Sequence, residues 1–203
     1  MYLPGHFEER EPARLTAIVD AHPLAVVVAV DERGAPEISH LPCLRDEEAP
    51  GPLDRVLLHV ARGNRLAELA ERGARMTAVF SGPHCYVSAR LFRDPSRQVP
   101  SWNYAVVHAS GRSTVLTAEA TRGLLARMAV RFERGEDPWH PDATEPGFVD
   151  KLIPAIVGIA IEVDRVEGKF KLNQNRSAED REDVRRGLAA GDEHERAVAA
   201  LMS

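Results

Sequence analysis

Short segments of alternating polarity recur along the chain, and their close spacing constrains its fold more than any other feature. In residues 156–163, Val or Ile occupies every second position, which is typical of a β-strand. Similar signals predict strands over residues 24–30, 36–44, 53–60, 75–80, 84–88 and 102–116. Gly111 is expected to bend the last of these. About seven short strands favour a mainly β (α+β) protein with an antiparallel barrel or sandwich over a doubly wound parallel sheet.

Helical signals flank these strands and dominate the end of the chain. An amphipathic helix opens at Glu11-Pro12 and is stopped by His22-Pro23. Others are predicted over residues 63–72, 118–134 and 178–202, with a helical turn at 147–153. The last helix is charged and is expected to break around residues 187–191. We therefore expect a domain of residues 1–177 followed by a helical tail of residues 178–203.

Composition excludes several protein classes. The 203 residues suffice for a sizeable core, and 14 glycines and 14 prolines are too few for a collagen-like or disordered chain. No apolar run approaches the ~20 residues of a membrane span, and the first residues lack the basic and apolar regions of an export signal. Cys43 and Cys85 fit neither a disulfide framework nor a metal-binding spacing, so a reduced, cytoplasmic location is expected.

The charge pattern argues against strong binding to nucleic acid. The formal net charge is −5, whereas contact with phosphates needs a surplus of Lys and Arg. In the tail, Arg181, Arg185 and Arg186 are interleaved with Glu and Asp, as on a solvated helix face. No helix-turn-helix pattern is evident either. DNA is kept as an alternative partner, although the charge pattern does not support it.

The motifs of several common enzyme chemistries are missing. The chain has no GxGxxG, GxxxxGK[ST], GxSxG or HExxH sequence. Its eight histidines are scattered without the spacing of metal ligands, so no metal site is predicted. His40, His59, His84 and His108 lie on or beside predicted strands, where a hydrogen-bonded structural histidine is the common case.

The segment His59-Val60-Ala61-Arg62-Gly63-Asn64-Arg65 joins a predicted strand to a predicted helix. Such a junction exposes backbone N–H groups and the positive end of the helix dipole, and Arg62 can add a bidentate guanidinium. Asn64 can donate a further hydrogen bond. The segment is therefore a candidate phosphate cradle. The alternative is an ordinary helix start in which Asn64 is the cap and the arginines are solvated.

The segment Val99 to His108 places two large aromatic residues near the start of a strand. Trp102 and Tyr104 share one face of this strand by its two-residue period, and Asn103 takes the other face. An aromatic face of this kind suits a planar ligand or a partner subunit. Ordinary packing into the core is an equally weighted alternative.

The segment Glu167 to Arg176 collects two lysines, an arginine and three amides directly after a predicted strand. A phosphate, or the polar edge of a ring, would need such a set of donors. A solvated loop is the alternative, although such loops usually carry more glycine, serine and acidic residues. We favour a binding role for Lys169, Lys171, Gln174 and Asn175.

Six segments together resemble the PaiB-like family of FMN-binding split-barrel proteins, which are named as negative transcriptional regulators. The segments are Met1 to Phe7, His40 to Pro42, His59 to Asn64, Phe80 to Ser88, Val99 to Tyr104 and Gly168 to Arg176. They follow the order of the family, and the resemblance covers the chain from Met1 to about Leu188.

The resemblance implies an antiparallel split β-barrel with flanking helices, which forms a homodimer and holds FMN in clefts between its subunits. It places the FMN phosphate near His59, Arg62 and Asn64. The residues implied near the flavin ring, some of them reaching across the dimer, are His40, Tyr86, Ser88, Trp102 and Asn103. Flavin or interface contacts are also implied for Lys169, Lys171, Gln174 and Asn175.

The chain departs from the family pattern after Ser88. It has Ala89-Arg90-Leu91-Phe92 where relatives carry proline, serine, tryptophan and tyrosine. The next loop is shortened to residues 93–98, and Asn173 stands where serine is usual. If the missing aromatic residues line the flavin cleft in relatives, weak FMN binding or none is expected here.

Two classes of function follow from the resemblance. One is an FMN-binding regulatory protein that acts directly or through its ligand or a partner. The other is a flavin-dependent oxidoreductase of the pyridoxamine-phosphate-oxidase or flavin-reductase kind, in which the cofactor carries the electrons. Haem binding or breakdown on the same fold is a third alternative. His84, His108 and Tyr86 are candidate acid–base residues, and no catalytic residue is assigned.

Overall fold

The computed structural model describes residues 1–136 and 138–203, and this part of the chain contains seven strands and six α-helices. The strands are β1 (Glu8–Glu9), β2 (Leu24–Val30), β3 (Pro36–Arg45), β4 (Arg55–Ala61), β5 (Arg75–Val87), β6 (Ser101–Val115) and β7 (Ile156–Lys171). The helices are α1 (Pro12–Ala21), α2 (Arg65–Glu71), α3 (Ala118–Phe132), α4 (Phe148–Leu152), α5 (Ala178–Ala189) and α6 (Glu193–Leu201). None of these helices combines the length and the apolar character that crossing a membrane requires.

The strands pair in the order β1-β7-β4-β3-β2-β5-β6, and β6 also pairs with β7. The pairings of β1 with β7, of β2 with β3 and β5, and of β4 with β3 and β7 are antiparallel, as predicted. Because the order returns to β7 through β6, the pairing is that of a barrel and not of a two-sheet sandwich.

The hairpin of β2 and β3 shows how local sequence sets the register of these strands. In its turn the Asp31 carboxylate accepts a hydrogen bond from the backbone N–H of Ala35 (2.8 Å), and Gly34 has a φ of 82°. Glycine adopts this left-handed conformation without strain. The resulting register places Val28 opposite Ile38.

The chain divides into two compact units. The terminal unit contains Met1–His22, Ser81–Val107 and Glu167–Ser203, and the central unit contains Pro23–Phe80 and His108–Val166. Strands β5, β6 and β7 each contribute residues to both units. The separation of residues 178–203 from a flavin-binding domain of residues 1–177 stays a prediction.

In the central unit, helix α3 packs on β4 and β7. Its residues Leu124 and Met128 form a buried cluster with Leu57 of β4 and Ala160 of β7. The apolar spacing that predicts this helix therefore also predicts most of the face that it buries. Phe132, which the spacing places on the same face, is instead exposed at the end of the helix.

In the terminal unit, α5 and α6 form the predicted helical tail, with the break between them near the expected place. A capping box at Asp192 begins α6. Two arginines hold its end, since Arg14 donates to the carbonyl of Leu201 (3.1 Å) and Arg181 to that of Met202 (2.8 Å). The Arg14 contact joins the tail to α1, and the Arg181 contact joins α5 to the end of α6.

The prediction of two strands between Arg75 and Ser88 is wrong, because β5 runs unbroken through Ser81-Gly82-Pro83. Even-numbered residues face inward as far as Gly82, and odd-numbered residues face inward from Cys85. The strand therefore changes face around Pro83 without ending. This is the behaviour of a bulge, where a proline is tolerated.

Strand β7 is longer than the strand predicted over residues 156–163, because it continues to Lys171, into the polar segment that was expected to follow it. Strand β1 pairs with this extension, with Glu8 opposite Lys169. Phe170 points inward from it and is buried. A two-residue strand such as β1 has no period to detect. The sequence therefore predicted neither β1 nor the end of β7 with which β1 pairs.

Candidate functional site

The predicted site residues divide between the two units. The central unit holds His40, His59, Arg62 and Asn64. The terminal unit holds Tyr86, Ser88, Trp102, Asn103, Lys169, Lys171, Gln174 and Asn175. The first group lies on β3, β4 and the start of α2, and the second on β5, β6, β7 and the segments that follow β5 and β7.

Arg62 is engaged by the protein's own backbone. Its Nε donates to the carbonyl of Pro154 (2.7 Å) and its Nη2 to that of Ile156 (3.2 Å). Its Nη1 lies 3.8 Å from the Glu71 carboxylate. A phosphate would have to compete with that carboxylate for the same guanidinium. In this structure Arg62 ties the turn after β4 to the segment that leads into β7.

Asn64 is the N-cap of α2. Its Oδ1 accepts a hydrogen bond from the N–H of Leu66 (2.9 Å), and its Nδ2 donates to the Ser39 Oγ (3.0 Å). Next to it, Arg65 forms an ion pair with Glu68 (2.6 Å). Because the amide is used at both ends and the arginine is paired, the turn leaves few side-chain donors free for an anion.

The two histidines of the central group lie on different strands and differ in burial. His59 is half-buried on β4, opposite Gly158, and its Nδ1 has no hydrogen-bond partner among the described residues. Burial lowers the pKa of His59, so its ring is neutral at physiological pH and adds no positive charge to a phosphate site. His40 is exposed on β3, opposite Val26.

Four rings of the terminal unit form an exposed cluster, which we call the aromatic face: His84, Tyr86, Trp102 and His194. The Trp102 centroid lies 6.0 Å from that of His84 in a stacked arrangement and 6.2 Å from that of Tyr86 in an edge-on one. His84 and His194 stack at 6.3 Å. Trp102 and Tyr86 are 48% and 49% exposed. An open aromatic surface of this kind can stack a planar ring.

One lysine of β7, Lys171, lies beside the aromatic face, and a second, Lys169, lies near Tyr104 of β6. The Lys171 Nζ donates to the Ser101 Oγ (2.5 Å) and to the Trp102 carbonyl (2.6 Å). The Lys169 Nζ lies 5.5 Å from the centroid of the Tyr104 ring. The two lysines share one face of β7 because they are two residues apart. The third predicted segment is therefore brought next to the second.

The Gln174 side chain closes the loop after β7. Its Oε1 accepts a hydrogen bond from the N–H of Leu172 (2.7 Å), and its Nε2 donates to the carbonyl of Phe170 (2.5 Å). Asn173 has a φ of 63°, a left-handed conformation that asparagine tolerates better than most residues. Gln174 thus shapes the loop, and the exposed Asn175 is presented by it.

Asn103 and Ser88 are engaged in the fold of the terminal unit. Asn103 is fully buried on the inward side of β6, where its Nδ2 lies 3.9 Å from the Met202 Sδ. Its Oδ1 has no partner among the described residues. The Ser88 Oγ accepts a hydrogen bond from the N–H of Arg90 (3.2 Å) and caps a short 3₁₀ turn.

The structure brings further residues to this region that are not among the predicted site residues. His194 of α6 joins the aromatic face. Phe92, Ser101 and Arg176 line a small cavity together with Lys171. The arginine could have been chosen, because it stands in the same polar segment as the lysines. His194 carried no signal, since a lone histidine in a charged helix is usually solvated.

Neither thiol nor metal chemistry has support in the described residues. Burial raises the pKa of Cys43 to about 12 and, with help from the carboxylates of Glu195 and Asp192, that of Cys85 to about 11. In that same part of the chain, no cluster of His, Cys, Asp or Glu side chains could hold a metal ion. His84 and Tyr86 of the aromatic face and His108 of β6 stay candidates for acid–base chemistry.

Both native cysteines are expected to react with Ellman's reagent at least about 100-fold more slowly than a free thiol, because only the thiolate attacks. Both should react at once after unfolding in guanidinium. The release of thionitrobenzoate, followed by absorbance, measures the two rates. A fast phase from one thiol of the native protein would contradict the raised pKa values.

Solved structures define the class of protein to which this fold belongs. The chain resembles a FAD- and haem-binding protein from Mycobacterium smegmatis with a TM-score of 0.64 and 21% identity, covering 91% of this chain and 80% of the other. It resembles the flavocytochrome Anf3 from Azotobacter vinelandii with a TM-score of 0.59 and 21% identity, over 94% and 75% of the two chains. The predicted split-barrel fold is confirmed.

Sequence comparison then gives the family. Residues 1–165 match the family described as "Putative FMN-binding domain", and the chain belongs to it. The chain is 29% identical over 184 residues to the protease synthase and sporulation protein PAI 2 of Bacillus subtilis (strain 168), covering 89% of this chain and 85% of the relative. An uncharacterized protein of Aspergillus fumigatus is 26% identical over 239 residues, covering 93% of this chain and 90% of the relative. The resemblance to PaiB-like proteins is confirmed.

Proposed function

We propose that the protein binds FMN as a homodimer, with the flavin ring against the aromatic face. The observation that carries this proposal is the exposed packing of Trp102 against His84 and Tyr86, in a chain of an FMN-binding family. When bound, FMN supplies hydride and single-electron transfer. The chain supplies a stacking surface and, beside it, the ammonium group of Lys171.

These residues fit a flavin that one chain encloses only in part. The aromatic face is open, and the cavity beside Lys171 has a volume of about 50 Å³. Pockets that enclose a drug-sized ligand measure ~300 Å³ or more. A flavin ring therefore needs a second wall, and we propose that a second copy of the chain provides it.

The outward side of β2 and β3, here the outer face, supports homodimerisation. Its eight side chains alternate outward from the two strands and include no Asp, Glu, Lys or Arg: Leu24, Val26, Val28, Val30, Pro36, Ile38, His40 and Pro42. Leu24, Val30 and Ile38 are 62%, 56% and 57% exposed. An exposed apolar patch marks an interaction surface. A patch without charges also suits a twofold contact, in which each side chain meets the same surface on the other copy.

We further propose a negative regulatory role in transcription, exerted in the cytoplasm through the bound flavin or a protein partner. The name of the Bacillus subtilis relative, which refers to protease synthase and sporulation, supports a regulatory role. Direct contact with DNA has less support, because two of the tail arginines are paired with carboxylates. Arg185 contacts Glu182 at 2.7 Å, and Arg186 contacts Asp183. Pairing removes the cations that phosphate binding requires.

The absorption spectrum of the purified protein before and after addition of FMN, with its mass in solution, tests the proposal. A flavin band that stays with a species of twice the 22.4 kDa chain mass through gel filtration is expected. A protein that neither retains nor takes up FMN refutes flavin binding. Rapid bleaching of the flavin by NADPH would show an oxidoreductase. A Soret band after titration with haem would show a haem protein. Binding of promoter DNA that resists added salt would show a direct repressor.

Trp102→Ala is expected to weaken FMN binding roughly 5- to 150-fold, since stacking of a heterocycle on an aromatic side chain contributes about 1–3 kcal/mol. Quenching of flavin fluorescence on titration measures the dissociation constant. Trp139→Ala is the matched control, because Trp139 is 46% exposed and lies in the central unit. Equal losses in the two variants, or none in Trp102→Ala, would contradict the placement of the ring.

A further inference from the structure

Three cations of the terminal unit, Lys169, Lys171 and Arg176, lie near one another. The pKa of Lys171 is lowered, first by its burial and then by the positive charges of the other two. No ion pair joins any of the three to a carboxylate within residues 1–136 and 138–203. The three positive charges therefore repel one another, and the fold keeps them close. An anion placed among the three would remove that repulsion.

Lysine is rare in this chain, and most of it lies in this cluster. Lysine occurs at three positions only, and two of them are Lys169 and Lys171; the third is Lys151, exposed on α4. Many arginines of the chain are neutralised locally, as in the ion pair of Arg75 with Asp164 (2.7 Å). Two of the three lysines are thus concentrated at the end of β7.

A small cavity adjoins two of these cations. It has a volume of about 50 Å³ and is lined by Phe92, Ser101, Lys171, Asn173, Asn175 and Arg176. One water occupies about 30 Å³ in the liquid, so the cavity suits a group of a few atoms and is too small for a flavin ring. Its lining offers an ammonium, a guanidinium, a hydroxyl and two amides, all of which can donate hydrogen bonds to a tetrahedral anion.

Aromatic, hydroxyl and backbone contacts hold the two cations of this cavity in place. The Arg176 guanidinium lies 5.6 Å from the centroid of the Phe92 ring, a distance at which a cation is attracted to the ring. The Lys171 Nζ is fixed by the Ser101 hydroxyl and the Trp102 carbonyl. The contact with Trp102 also places the cavity directly beside the aromatic face.

We infer that this cavity is the binding site for a phosphate monoester dianion, and we call it the anion pocket. In the FMN complex it would take the terminal phosphate of the flavin, in place of the turn at Arg62 and Asn64. The assignment of the phosphate to FMN rests on the proposed function; the pocket itself would accept inorganic phosphate as well. Lys171 and Arg176 supply the charge, and the hydroxyl and amides orient the oxygens.

Two pairs of variants test the anion pocket against the turn before α2. Lys171→Met and Arg176→Gln each remove one cation of the pocket. Lys151→Met removes the lysine outside the cluster, and Arg62→Gln removes the cation of the turn. Each protein is titrated with FMN and with riboflavin, which has the same ring without the phosphate, and flavin fluorescence gives the dissociation constants.

We expect Lys171→Met and Arg176→Gln to weaken FMN binding roughly 10- to 100-fold, the range of a lost charge-assisted hydrogen bond. Riboflavin affinity should change less than about threefold in both, and Lys151→Met and Arg62→Gln should bind both flavins nearly as the parent does. Equal losses for the two flavins in the pocket variants would overturn the inference. A selective loss of FMN in Arg62→Gln would return the phosphate to the turn.

The anion pocket can be tested even if the proposed flavin binding fails. If neither flavin binds the parent protein, thermal unfolding with added sodium phosphate still tests the pocket, with sodium chloride at equal ionic strength as the control. Stabilisation by phosphate in the parent and in Lys151→Met, but not in Lys171→Met or Arg176→Gln, would retain the anion pocket without FMN. Absence of any phosphate effect in that case would overturn the pocket as well.

Discussion

Replacing Gly111 by alanine is expected to destabilise the protein by about 4 kcal/mol or more, which is at the extreme of single substitutions. A Cβ at Gly111 would lie 1.8 Å from the carbonyl oxygen of Glu162, 2.5 Å from its carbonyl carbon and 2.8 Å from the Cα of Val163. All three atoms are backbone of β7, and Glu162 is also paired with Arg55 of β4. The strand therefore cannot move aside for the methyl group without losing pairing on its other side.

The expected loss is a large part of the ~5–15 kcal/mol by which a domain of this kind is stable. Denaturation in urea, followed by circular dichroism, measures the free energy of unfolding. Gly123→Ala is the matched control, because Gly123 lies in α3 with no atom near its added Cβ and should gain up to about 1 kcal/mol. A Gly111→Ala protein as stable as its parent would show that β6 and β7 do not approach each other this closely.

The strands with regular periods could be predicted from the sequence almost to the residue. Leu24–Val30 coincides with its prediction, and the strand predicted over residues 102–116 differs from β6 by one residue at each end. The first is a short apolar, β-branched run, and the second alternates because one side of the strand is buried. The role of Gly111 was harder to predict from the sequence. A glycine in a strand signals either a bend or a close approach, and only the pairing of β6 with β7 shows that the second applies.

Errors arose where tertiary contacts override local signals. Ser81-Gly82-Pro83 reads as a turn, yet Gly82 is packed against Ile18 and the backbone of Ala105, so the strand continues. Similarly, Gly168 carries a weak strand signal, but β1 supplies it with a pairing partner. Both outcomes depend on segments far away in the chain, which a local reading does not include.

For the candidate site, the sequence located polar and aromatic segments but did not indicate the contacts that each side chain makes within the fold. Trp102 and Lys171 are 69 residues apart, and their contact depends on how β6 and β7 pair. Arg62 reads as a free cation until the carbonyls of Pro154 and Ile156 are brought to it. Residue type thus predicts which chemistry is available. The hydrogen bonds that a side chain makes within the fold determine whether it remains available to a ligand.

Introducing a charge at the centre of the outer face is expected to abolish the dimer. In Ile38→Glu each interface would contain two buried carboxylates related by the twofold axis, and the desolvation of an unpaired charge costs several kcal/mol. We expect the dimer to be weakened at least ~1000-fold, so that the variant sediments with the chain mass of 22.4 kDa at micromolar concentration. FMN affinity should fall with it, because the second wall of the flavin site is lost.

Val130→Glu is the matched control for this substitution. Val130 is also apolar and is 78% exposed, but it lies on α3 and not on the outer face. This variant should remain a dimer with parental FMN affinity, and sedimentation velocity of both proteins makes the comparison. An Ile38→Glu protein that still sediments as a dimer would place the contact on another surface. Loss of the dimer with unchanged FMN affinity would show instead that a single chain holds the flavin, since the aromatic face and the anion pocket would then suffice without a second wall.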